Sequence, residues 1–89
     1  MNFEQANALI SDLIRLGMDE DEAHQFIIKA GDEVLKATER GDELLSSLSA
    51  RHRVALRLSE RFRIGDKVAS KGLDLVLAVL IESTRDRRK

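Results

Sequence analysis

Apolar side chains recur every three to four residues along most of the chain, the spacing of helices that turn one face inward. In the first such stretch, Asn2 to Leu16, the residues Phe3, Ala6, Ile10 and Leu13 form a stripe that Leu9, Ile14 and Leu16 widen. Asn2 stands where a helix cap belongs, with Gln5 as its capping-box partner, and Gly17 supplies a stop because glycine reaches the left-handed backbone region. Asp19 then reads as the cap of a second helix. Its first turn, Glu20-Asp21-Glu22, is acidic where the helix dipole favours negative charge, and Ala23, Phe26, Ile27 and Ala30 form its inner stripe.

Three Gly-Asp pairs punctuate the remainder of the chain: Gly31-Asp32, Gly41-Asp42 and Gly65-Asp66. Taken as a helix stop followed by a helix cap, they predict a short helix from Asp32 to Arg40, a longer one from Asp42, and a last one from Asp66 to about Arg85. The helix from Asp42 carries Leu44, Leu48, Ala55, Leu58 and Phe62 on one face. Arg53, Arg57 and Arg61 fall four apart on the opposite face, while Arg51 and His52 lie near the apolar side, where burial or an acidic neighbour is expected. The last helix contains the most apolar run of the chain, Gly72 to Ile81. Its only polar strip is Lys67, Lys71, Asp74, Ala78, Glu82 and Arg85. Such a helix is buried from several sides, by its own bundle or by a second copy of the chain. Leu73, Val76, Leu77, Leu80 and Ile81 are therefore the expected oligomer interface.

Composition fixes the class that this pattern suggests. Proline is absent, only five glycines interrupt the chain, and good helix formers dominate, so the expectation is an all-α bundle of four to five short helices with the C-terminal helix central or at a dimer interface. Eighty-nine residues suit one domain, with an acidic helical part over 1–41 and a basic part over 42–89 that holds the arginine-bearing and the apolar helices. Residues 1–43 carry eleven acidic and four basic side chains, and residues 44–89 carry five acidic and eleven basic. That division implies either an anionic partner for the second half or mutual attraction of the two halves, and their near-cancellation favours the second. The absence of cysteine excludes disulfides and thiolate metal sites and fits a cytoplasmic protein. The apolar run near the C-terminus is about half of the ~20 residues that a membrane span requires, so no membrane partner is expected.

Chemistry-bearing motifs are few. His24 and His52 are the only histidines, and neither has a second ligand at metal spacing. Ser46, Ser47 and Ser49 lack a nucleophile-elbow pattern, and the glycines are too scattered to cradle a phosphate. The acidic run at 19–22 lacks the ligand spacing of a calcium loop. No enzyme activity, cofactor or metal is expected.

The segment Leu16-Gly17-Met18, with Ala23 and Ile27 after it and Gly31-Asp32 before Val34 and Ala37, resembles the ubiquitin-associated domain over residues 13–37. Met18 stands where that family usually has an aromatic, and Thr38-Glu39 where it has paired leucines. The resemblance implies a compact three-helix module whose loop, here Leu16, Gly17 and Met18, binds a protein partner other than ubiquitin. A second pattern alternates Val54, Leu56 and Leu58 against Arg53, Ala55 and Arg57, as a strand would. With Gly72-Leu73-Asp74 as a turn between helices, it resembles the ribbon-helix-helix DNA-binding family, which implies base-contacting roles for Arg53 and Arg57. The expectation from the whole is a non-enzymatic regulatory or adaptor protein that acts through protein–protein contact as a homodimer. The alternative is a nucleic-acid-binding regulator that uses Arg53, Arg57 and Arg61.

Overall fold

The computed structural model describes residues 3–41, 43 and 47–87, with side chains for all of these except 83–87. The described residues form four helices: α1 (Phe3–Arg15), α2 (Glu20–Glu39), α3 (Leu48–Phe62) and α4 (Asp66–Arg87). No strand is present among the described residues, so residues 53–58, which alternate like a strand, lie in the middle of α3. The expected caps Asn2 and Asp42, the apolar Leu44 and the Arg85 side chain lie outside the described residues.

Helix ends follow the local chemistry of the sequence. α1 closes in a Schellman motif: Gly17 adopts φ +114°, its N–H donates to Ile14 O at 3.0 Å, and Met18 N–H reaches back to Leu13 O at 3.3 Å. Met18 and Leu13, the positions at which an apolar contact commonly accompanies this motif, are both buried. Asp19 caps α2 by accepting the Glu22 N–H at 2.7 Å, and Gly41, at φ +85°, closes it. α3 starts at its Ser47 cap, whose Oγ accepts the Ala50 N–H at 3.2 Å. It ends on a related left-handed turn, with Arg63 at φ 53° donating its N–H to Ser59 O and Ile64 N–H donating to the same oxygen at 3.1 Å. Beside that turn the Ser59 hydroxyl, itself buried, lies 2.6 Å from Ile64 O and 2.9 Å from Asp66 Oδ1 and shares its one proton between them. The stop thus falls at Arg63, ahead of the expected Gly65.

Two expected boundaries are overturned. Gly31 does not end a helix: α2 runs unbroken through it, so the separate helix Asp32 to Arg40 does not exist. Residues 13–37 accordingly span two helices where three were expected. The physical reason is the phase of the buried positions, Ala23, Phe26, Ala30, Glu33 and Ala37, which continues across Gly31 at spacings of three and four. Nor does a helix run on from Asp42 through Leu48. Glu43 and Ser47 lie outside helix, and Leu48, at the start of α3, is exposed instead of buried.

The core is built from Leu9 and Leu13 of α1, Phe26 and Ala30 of α2, Val54, Ala55 and Leu58 of α3, and Ala69, Leu73, Val76 and Leu77 of α4. α2 and α4 each pack against all three other helices. At the centre Phe26 meets Phe62 with ring centroids 5.6 Å apart and tilted, the arrangement that aromatic quadrupoles favour. Gly72 lies against the same Phe26 ring. The expected polar strip of the last helix is exposed at Lys67, Lys71, Asp74, Ala78 and Glu82, so α4 is central but keeps one edge in water.

Candidate functional site

Three surfaces among the described residues are candidates for a functional site: the α1–α2 loop, the outer face of α2, and the seam between α2 and α3. In the loop, Gly17 is exposed and Leu16 half-buried, whereas Met18 is only 3% exposed and belongs to the core. The Leu16-Gly17-Met18 segment is thus accounted for by helix termination, with Met18 as its apolar anchor. Among the residues expected at an oligomer interface, Leu73, Val76 and Leu77 are buried by the chain's own helices, Leu80 is half-buried, and Ile81 sits at the surface.

The outer face of α2 carries exposed apolar side chains. Ile28 and Leu35, seven residues and so two turns apart, are 67% and 59% exposed. Gly31 lies midway between them, with the half-buried Ile27 and Val34 along the same flank. A Cβ built on Gly31 would meet nothing within 4 Å. Neither a turn nor a close approach inside the chain therefore calls for glycine here, although its presence in a helix interior costs about 1 kcal/mol.

The arginine row does not form one uniform rail. α2 and α3 run antiparallel along their seam: Glu33 of α2 meets Arg57 of α3 at 3.3 Å, while Arg40, just past the end of α2, and Arg53 of α3 line one cleft together. Glu33 is buried, and its carboxylate also takes Lys29 at 3.5 Å. Arg53, Arg57 and Arg40 line a cleft of about 300 Å³ whose remaining lining among the described residues is Ala50 and Val54. Arg61 lies apart, in a hollow of about 510 Å³ with Lys29, Asp32, Ile28 and Phe62. Asp32 there holds Lys29 at 3.8 Å and Lys36 at 3.1 Å. The Glu33–Arg57 pair thus ties the acidic half of the fold to the basic half, and within the basic half Arg51, half-buried as expected, reaches an acidic neighbour, Asp74 of α4, at 3.6 Å.

The cluster of Arg40 with Arg53 and Arg57 escapes sequence reasoning, which places Arg40 at the end of a separate short helix. The unbroken inner stripe of α2 is the signal that points to it. His24 and His52 are both exposed, and no group of three or more His, Cys, Asp or Glu able to hold a metal ion exists among the described residues. No described helix is long and apolar enough to cross a membrane. Comparison with protein-family models, with curated proteins and with solved structures gave no match.

Proposed function

We propose that this chain is a non-enzymatic cytoplasmic interaction module of the regulatory or adaptor kind, and that it works as a homodimer joined through the outer face of α2. The observation that carries this reading is Gly31, a glycine without an internal purpose, set between the exposed Ile28 and Leu35 on a continuous helix. A residue without a side chain lets a second helix approach closely, and large apolar neighbours on either side supply the contact area. The positions 27, 28, 31, 34 and 35 repeat at the spacing by which paired helices interlock.

A second copy is the occupant that the charges favour. The first turn of α2 is acidic, with Glu20, Asp21 and Glu22, while Lys36 and Arg40 stand at its other end. Two copies related by a two-fold axis near Gly31 would run antiparallel and set the acidic end of each against the basic end of the other. A parallel pair would instead juxtapose like charges.

Sedimentation equilibrium at micromolar to submillimolar concentration tests the reading. The expected result is a monomer–dimer equilibrium that Leu35→Glu shifts strongly to monomer while the far-UV circular dichroism spectrum keeps its helical form. A chain that stays monomeric throughout, or a dimer indifferent to Leu35→Glu, overturns it. The second reading, nucleic-acid binding through Arg53, Arg57 and Arg61, is disfavoured by the separation of Arg61 from the other two and by the engagement of Arg57 with Glu33.

A further inference from the structure

We propose that the hollow between the first turns of α3 and the middle of α4 binds a free amino acid with an apolar side chain, held as its zwitterion by Arg51 and Asp74. The inference is independent of the dimer and rests on what lines the hollow. Leu48, Ser49, Arg51 and His52 of α3 and Ser70 and Asp74 of α4 border a space of about 420 Å³. Leu48, Arg51 and His52 stand three and four residues apart and so share one face of α3, as Ser70 and Asp74, four apart, share one face of α4.

The polar groups on these two faces are incompletely paired. Arg51 and Asp74 approach to 3.6 Å, a charge contact longer than a hydrogen bond. The Nε of Arg51 is buried without a hydrogen-bond partner, a state that buried donors rarely keep. Ser49, His52 and Ser70 are exposed, and their side chains form no hydrogen bond with a described residue. Donors and acceptors of both charge signs therefore border one small space with capacity to spare.

The balance of charge selects the class of ligand. A phosphate that met Arg51 would also meet the carboxylate of Asp74, and a simple cation would face the reverse conflict. A zwitterion meets both groups favourably: its carboxylate accepts from the guanidinium, and its ammonium donates to Asp74. A free amino acid carries the two charges on one carbon, close enough together to lie over a pair 3.6 Å apart, whereas a peptide carries them at opposite ends. Leu48, 75% exposed, supplies an apolar wall against which the side chain of the ligand leaves water.

Isothermal titration calorimetry at neutral pH and low ionic strength, with L-leucine, N-acetyl-L-leucine, L-leucinamide and glycine as separate titrants, tests the site, and amide chemical shifts locate it. The expected result is saturable binding of L-leucine at one per chain, with shifts centred on Ser49, Arg51, Ser70 and Asp74. N-acetyl-L-leucine lacks the ammonium and L-leucinamide the carboxylate, and each binds about tenfold or more weakly, since a charge-assisted hydrogen bond is lost. Glycine, with no side chain to lay against Leu48, also binds more weakly than L-leucine. Asp74→Asn, at an exposed position where the circular dichroism spectrum keeps its helical form, weakens L-leucine about tenfold, and Arg61→Gln leaves it unchanged. The proposal is overturned by absence of saturable L-leucine binding, by a blocked derivative or glycine binding as tightly as L-leucine, or by equal effects of Asp74→Asn and Arg61→Gln.

Discussion

At the scale of single residues, the glycines of this chain look alike in sequence and do different work. Gly17 holds a φ of +114°, well inside the region that a Cβ penalises, so Gly17→Ala is expected to cost about 1–2 kcal/mol. Gly72 is helical, but an added Cβ would lie 2.8 Å from Cζ of Phe26, a ring that the core and Phe62 hold in place. Gly72→Ala should therefore cost about 1–3 kcal/mol through overpacking. Gly31→Ala meets no atom and removes the entropic penalty of a helix-interior glycine, so it should stabilise the dilute monomer by about 0.5–1 kcal/mol. Arg63 reverses the case of Gly17, being a side-chain-bearing residue at a left-handed helix stop. Arg63→Gly is expected to raise stability by about 1 kcal/mol. Thermal unfolding at low protein concentration reads all four, because 1 kcal/mol moves the midpoint of a domain this size by roughly 4–8 °C. Equal destabilisation by Gly17→Ala and Gly31→Ala would mean that Gly31 sits in a break after all.

At the scale of elements, α2 is held to α3 by the Glu33–Arg57 contact and to itself by Lys29 beside the same carboxylate. Removing Glu33 spares the chain a buried charge but leaves Arg57 and Lys29 facing each other without an anion between them. Glu33→Ala is expected to cost about 1–2 kcal/mol, and a double-mutant cycle with Arg57→Ala to return a coupling of about 0.5–1 kcal/mol, the modest figure reflecting how exposed Arg57 is. A coupling near zero in urea unfolding would reduce the contact to a coincidence of packing. The same pair shows what the sequence could and could not convey. The helical class, the Asp19 cap, the stops at Gly17 and Gly41, the course of the last helix and its polar strip were all legible, because each rests on a local rule of backbone or periodicity. The continuity of α2 was hidden by a Gly-Asp pair identical to those at helix boundaries, although the unbroken phase from Ala23 to Ala37 carries the information. The start of α3 was hidden for a related reason: Leu44 and Leu48 keep the helical spacing, while the Ser47 cap competes for the same backbone. The arginine cleft depends on which helices are neighbours and on their direction, and no local rule supplies that.

At the scale of the whole molecule, the principal extents of 35 × 30 × 16 Å describe a slab about two helices thick, in which every helix keeps a face toward solvent. α4 resolves its apolar girth inward, burying Leu73, Val76 and Leu77 against the other three helices, while α2 keeps Ile28 and Leu35 exposed on its outer face. That helix is about 30 Å long, enough for an antiparallel pair to engage both charged ends at once. Reversing either end therefore tests the orientation of the proposed dimer. A chain with Glu20→Lys and Asp21→Lys would place its new lysines near Arg40, at the basic end of an identical copy. A chain with Lys36→Glu and Arg40→Glu would place acid against acid. Each variant alone is expected to self-associate about tenfold more weakly than the parent, since two symmetry-related ends lose about 0.5–1 kcal/mol apiece. Mixed together, the two variants should form a heterodimer of near-parental affinity, visible in sedimentation and lost as salt screens the ends. A parallel pair already opposes like charges in the parent, so neither reversal would weaken it, and undiminished self-association of the two variants would exclude the antiparallel arrangement.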